Sequence, residues 1–221
     1  MLSAENLESI RTDGERILAL ARRDPGRPVP QYPGWTMTDL VSHVGGVHAR
    51  TTNICRELPT ERPSAPRPGE ADDVLDWYET HLGEMLAALE MADPDTVAWG
   101  FWPEPSLGLW ERRMVVETGV HRWDADQAFD EHGPLSGLVA VSGLNEFEAM
   151  WLPRLPELPV LEVKAADLGR SWVFGSGGSP LRTVRGSASD IYLRLMSRPS
   201  PVELPRPWGA AVDALEPPPK R

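Results

Sequence analysis

Apolar positions recur with a helical period through the first part of the chain. Leu7, Ile10, Ile17, Leu18 and Leu20 make one stripe, which stops at the breaker RRDPGRPVP. The next stripe predicts a helix from Thr36 or Thr38 to Leu58; either threonine can cap it, with Asp39 supporting the first turn. PTERPSAPRPGE, residues 59–70, excludes helix, because prolines remove backbone donors and crowd the preceding turn. A third helix, Ala71 to Met91, carries Val74, Leu75, Tyr78, Leu82, Met85, Leu86 and Leu89 on one side. Past Pro94, Pro103 and Pro105, a fourth is predicted from Ser106 to Phe129. Four helices joined in this way predict a bundle.

After residue 132 the period shortens. VLEVKA, SWVFG and LRTVRG read as strands, and GSGG at 175–178 as a turn whose glycines accept positive φ. Ser187 or Ser189 caps a last helix with Ile191, Leu195 and either Met196 or Tyr192 on its apolar face. The expected fold class is thus mainly α. A four-helix bundle spans residues 1–132, a small α+β domain 133–205, and a proline-rich, extended tail 206–221.

Composition narrows the function classes. A formal net charge of −11 argues against nucleic acid as a partner, since phosphate binding needs clustered cations. No apolar run reaches the roughly 18–20 residues of a membrane span, and the first residues have no apolar core of a signal peptide. The single cysteine, Cys55, allows no internal disulfide and reads as a buried small residue; a cytoplasmic location is expected. Of 22 basic residues only Lys164 and Lys220 are lysines, a bias, together with 23 prolines, typical of GC-rich genomes such as those of actinobacteria.

The fourth helix contains VVETGVHRWDA, in which Glu117 and His121 share a face with Met114, Thr118, Ala125 and Ala128. A carboxylate on such a face needs a partner, because burying an unpaired charge is costly. A helix-face hydrogen bond would serve; so would a metal ion, for which E-x-x-x-H spacing supplies two ligands. A third must come from elsewhere. His132 follows the helix next to Gly133 and Pro134, and His81 sits between Glu79 and Glu84, so both are expected at solvent. His43 lies among Leu40, Val44 and Val47 on the inward face of the second helix, whereas His48 is about 140° further round. His43 is therefore the candidate third ligand. Asp124, one turn past His121, is placed either to orient that ligand or to pair on the Arg122 side. Arg112, Arg113 and Arg122 read as solvated helix charges, with an anionic ligand as the other reading; Trp35 and Trp123 read as packing residues.

YPGWTMTDLVSHVGGVH, followed much later by RRMVVETGVHRWDA, resembles the mycothiol-dependent maleylpyruvate isomerase family, within the wider DinB-like four-helix superfamily. In that family a Trp-Thr segment opens a helix whose histidine, eight residues after the Trp, binds metal, as Trp35 and His43 are spaced here. A later E-x-x-x-H, here Glu117 and His121, completes the ligand set. TVRGSASDIYLRLMSR is similar to the family's C-terminal, sterol-carrier-like domain. The family's catalytic arginine in that domain has three candidates here: Arg182, Arg185 and Arg194.

Two imidazoles and one carboxylate leave a zinc or similar divalent ion positively charged, with one position open. A thiol entering that position is held as thiolate. The resemblance implies mycothiol as the thiol cosubstrate and a small electrophile as its partner, in S-transferase or isomerase chemistry. A hydrolase activating water at the same metal, and a non-catalytic small-molecule-binding protein, are the alternatives.

Overall fold

The structure, a computed structural model, describes residues 3–175 and 182–215. Its contacts divide between Gly133 and Pro134 into two compact units.

The first unit is the expected helical bundle: α1 Ala4–Arg23, α2 Met37–Glu57, α3 Val74–Glu90 and α4 Leu107–Ala128. The principal packing pairs are α2 with α3 and α1 with α4. Their starts follow local chemistry. Thr36, not Thr38, caps α2 through a capping box: the Asp39 N–H donates to Thr36 Oγ1 (3.4 Å), and the Thr36 N–H donates to Asp39 Oδ2 (2.8 Å). Thr38 instead donates its hydroxyl to the Pro25 carbonyl at 3.0 Å. Asp73 caps α3, accepting from the Leu75 and Asp76 N–H groups, so that helix begins three residues later than Ala71. Thr36→Ala is expected to cost about 1 kcal/mol of stability, readable by urea denaturation. An unchanged unfolding midpoint would show that the box contributes nothing.

The double glycine of α2 permits close packing on two sides. A Cβ at Gly45 would lie 2.5 Å from the Trp77 ring of α3, and one at Gly46 would lie 2.6 Å from the Pro66 carbonyl oxygen. The proline-rich segment 59–70 is thus a strap that touches α2 at Gly46 through Ala65 and Pro66. Before α2, the segment from Val29 to Trp35 is closed by backbone bonds, among them Val29 N–H to the Trp35 carbonyl at 3.0 Å. Gly34 supplies the positive φ (81°) the turn requires.

The second unit holds a three-stranded sheet of β1 Leu161–Ala165, β2 Arg170–Phe174 and β3 Arg182–Gly186, in the order β2-β1-β3. β1 pairs antiparallel with β2 and parallel with β3, with Val163 opposite Trp172 and Val184. Leu161, Val163 and Ala165 are buried and alternate with half-buried residues, the period-two pattern that made VLEVKA read as a strand. Ser187, not Ser189, caps the helix that follows. The GSGG turn lies largely outside the described residues; Gly175, its first residue, has φ 90°.

Two helices depart from the sequence expectation. α5, Gly137–Met150, was not expected, although Val139, Ala140, Gly143, Leu144, Phe147 and Met150 are buried at helical spacing. The Ala188–Leu195 helix is therefore α6. Residues 206–221 are not simply an extended tail: α7, Arg206–Asp213, forms within them. Its proline sits in the first turn, where no intrahelical donor is lost, and Trp208 and Val212 are fully buried one turn apart. The Trp208 indole N–H donates to the Pro159 carbonyl at 2.8 Å, tying α7 to the segment before β1.

Candidate metal centre

α2 and α4 run antiparallel where they meet, and the meeting point carries the three residues singled out from the sequence. His43 Nε2 lies 3.5 Å from Glu117 Oε1, and His121 Nε2 lies 3.4 Å from the same oxygen. Donor atoms of all three residues fall within 4.8 Å of one another. Ligands roughly 2.0–2.1 Å from a tetrahedral centre stand about 3.3 Å apart. The two carboxylate–imidazole separations match that spacing.

The hydrogen bonds around the cluster set the protonation of its two imidazoles. His121 Nδ1 lies 3.0 Å from Asp124 Oδ2, a fully buried carboxylate that also accepts from the Tyr32 hydroxyl at 3.3 Å. A carboxylate only accepts, so Nδ1 carries the proton and, in the neutral ring, the Nε2 lone pair points at Glu117 Oε1. Lone pair then faces lone pair, an arrangement relieved by a second proton or by a metal ion. Burial alone would lower the His121 pKa, but its bonds to Asp124 and Glu117 outweigh that and raise it. In His43 burial wins over the Glu117 bond and favours the neutral form. Burial would also raise the Glu117 pKa, yet Arg113 and the two histidines hold it well below the carboxylate range.

Arg113 donates from Nη2 to Glu117 Oε2, leaving Oε1 turned to the imidazoles. Tyr32 and Trp35 pack behind the cluster, with ring centroids 5.9 Å from His121 and 5.4 Å from His43, respectively. The closed Val29–Trp35 turn holds these two rings in place. His43, at 21% side-chain exposure against 6% for His121, is where the cluster meets solvent.

The other candidates lie elsewhere. His48 is fully buried, 3.0 Å from Thr118 Oγ1, and burial pushes its pKa down to about 3. His81 meets the Trp77 ring edge-on and lies 3.1 Å from Glu84, half-buried rather than solvated; His132 is exposed beside Gln127. Cys55 is half-buried, and burial pushes its thiol up to about 12. In the second unit Arg182 and Arg185 are exposed, and Arg194 is paired with Asp213.

Two arginine expectations need correcting. Arg112 is exposed, but Arg113 and Arg122 are not solvated charges: their side chains are only 12% and 13% exposed. Arg122 pairs with Asp13 and Asp126, which frees Asp124 for His121. The Arg113–Glu117 pair was readable from its i,i+4 spacing. Tyr32 had no sequence signal, because its contact with Asp124 spans 92 residues.

A family model described as the mycothiol maleylpyruvate isomerase N-terminal domain matches residues 7–126, more than half of the chain and all three clustered residues. The chain belongs to this family. Crystal structures of the mycothiol-dependent maleylpyruvate isomerase and of a histidine-to-alanine mutant of it are similar in fold, with TM-scores of 0.67 and 0.69. Their identities to this chain are 15% and 14%, each over 91% of this chain and 94% of that one. A search of curated proteins finds no significant match. The family's helical bundle and small C-terminal sheet are therefore the fold of this protein. Among the described residues no helix is long and apolar enough to cross a membrane.

Proposed function

We propose that the protein binds one divalent metal ion, zinc or a similar ion, through His43, Glu117 and His121, and acts as a thiol-dependent isomerase or S-transferase on a small electrophile. The observation that carries the reading is the convergence of two imidazole nitrogens on one carboxylate oxygen at 3.5 and 3.4 Å. Three protein donors with the fourth position open to solvent characterise catalytic rather than structural zinc sites. An ion held by these three residues would supply positive charge at the open position, which would lower the pKa of a thiol brought there.

The protein's own residues prepare the site. Asp124 fixes the His121 tautomer so that Nε2 faces inward, and Tyr32 steadies Asp124. Arg113 keeps Glu117 ionised and turns one oxygen to the cluster. Burial of Glu117 and His121 excludes water on the protein side, and access is by way of His43. Cys55, with its thiol pushed up to about 12, does not supply a thiolate, so the sulfur nucleophile must be brought in. Mycothiol is the thiol proposed, because the family and both similar structures are described by it.

The test is turnover of a panel of small electrophiles by metal-characterised protein with and without mycothiol. Consumption of an electrophile only when the thiol is present is the expected result. Turnover that needs no thiol would replace this reading by a metal-dependent hydrolase, and no turnover on any member by a binding protein.

A further inference from the structure

Two turns along α2 from His43, a second group of cations gathers beside the cluster. His43, Gly46 and Arg50 are spaced i, i+3, i+7 and share one face of α2. Contacts of His48 with Thr118 and of Thr51 with Met114 show how α2 and α4 run past each other. This register carries Arg50 to the Arg113 and Glu117 level of α4. The strap over Gly46 brings a third guanidinium, that of Arg62, which lies 5.7 Å from the Phe101 ring centroid.

Two of these charges, those of Arg50 and Arg62, have no ion pair among the described residues. Arg50 Nε is buried and has no hydrogen-bond partner among the described residues. Burial lowers the Arg50 pKa, Arg62 and Arg113 push the same way, and Glu117 is the acid that opposes them. Glu117 is already divided between Arg113 and the two histidines. Arg62 makes its ring contact with Phe101 and has no ion pair among the described residues. A buried guanidinium N–H without an acceptor is rare, because it has lost water and gained nothing in return. In a chain of net charge −11, such a knot of positive charge marks a place where a negative group is to arrive.

We infer that Arg50 and Arg62 form an anion subsite beside the His43–Glu117–His121 cluster, which receives a carboxylate group of the small molecule that reacts there. A planar guanidinium matches a carboxylate with two parallel N–H donors, as a point charge does not. The strap supplies one wall of the subsite and α2 the other, so a carboxylate bound by both arginines bridges them. Arg113 stays with Glu117 and contributes charge without leaving its partner. The choice of substrate rests on the metal-centred reading proposed above; the arginine subsite does not.

Calorimetric titration of the protein as isolated with succinate, at low ionic strength, tests the assignment. Wild-type protein is expected to bind succinate saturably, and Arg50→Gln and Arg62→Gln each to weaken binding about tenfold or more, the usual loss with one charge-assisted hydrogen bond. Arg112→Gln, on the exposed side of α4, should bind as wild type does. Arg62 is exposed, so its variant keeps the test valid even if Arg50→Gln melts early. Wild-type affinity in the Arg62 variant and in a folded Arg50 variant overturns the subsite. Arginine-dependent succinate binding by protein that takes up no metal upholds the subsite and removes the metal reading instead.

Discussion

Glu117→Ala protein is expected to be isolated without metal, and wild-type protein with about one divalent ion per chain, a difference that elemental analysis would read. Glu117 Oε1 is the atom both imidazoles face, so its removal takes away the only negative donor of the set. It also leaves the Arg113 guanidinium without its carboxylate at the edge of the site, where its charge repels an incoming cation. The loss of affinity should exceed the roughly 10–100-fold that follows when only a supporting residue is changed. Thermal denaturation supplies a second readout. A ligand at a hundred times its Kd stabilises the folded state by about 2.7 kcal/mol, so zinc should raise the wild-type melting temperature and leave that of the variant unmoved. Because Glu117 is buried, His43→Ala is the companion variant: it lies at the solvent edge, removes one neutral donor and strands no charge. Wild-type protein that stays metal-free after exposure to zinc, or a Glu117→Ala protein with full metal content, would sink the metal centre.

Asp124→Asn is expected to weaken metal binding about 10–100-fold while leaving the fold intact. The substitution keeps the shape of the side chain but removes the charge that stabilises the His121 Nδ1 proton at 3.0 Å. An amide can also turn its NH2 group to Nδ1, which permits the opposite tautomer and places a proton on Nε2, the atom needed for the metal. Metal content should recover at saturating zinc, which separates a positioning role from loss of a ligand. Competition with a chelator of known affinity reads the difference, and an unchanged constant would show that Asp124 does not position His121.

Much of this arrangement could be read one residue at a time. Thr36 and Asp39 cap a helix by contacts three residues apart, and Glu117 and His121 share a face by contacts four apart, so both were legible without a fold. The Trp35–His43 spacing needed the family resemblance to become informative. Helix α5 is also legible in the spacing of Val139, Ala140, Gly143, Leu144, Phe147 and Met150, although the sequence reading assigned no element there. The α7 segment was obscured by its prolines, which oppose helix only beyond the first turn.

The arginines mark the limit of local reading. Arg112 and Arg113 are neighbours of like chemistry, yet one faces water and the other is held against Glu117. Arg50 gives no local sign that its Nε is buried without a hydrogen-bond partner among the described residues. Tyr32 reaches Asp124, and Arg122 reaches Asp13, only once distant helices are packed. The amino-acid sequence by itself determined the four helices of the bundle, a short choice of caps for α2 and α6, and the face on which each candidate ligand stands, because those follow from contacts within one or two turns. Only the tertiary structure decided which faces meet. It set the donor separations, gave Asp124 to His121 rather than to Arg122, and left Arg50 and Arg62 without an ion pair among the described residues. Those outcomes depend on packing between segments tens of residues apart, which no local period encodes.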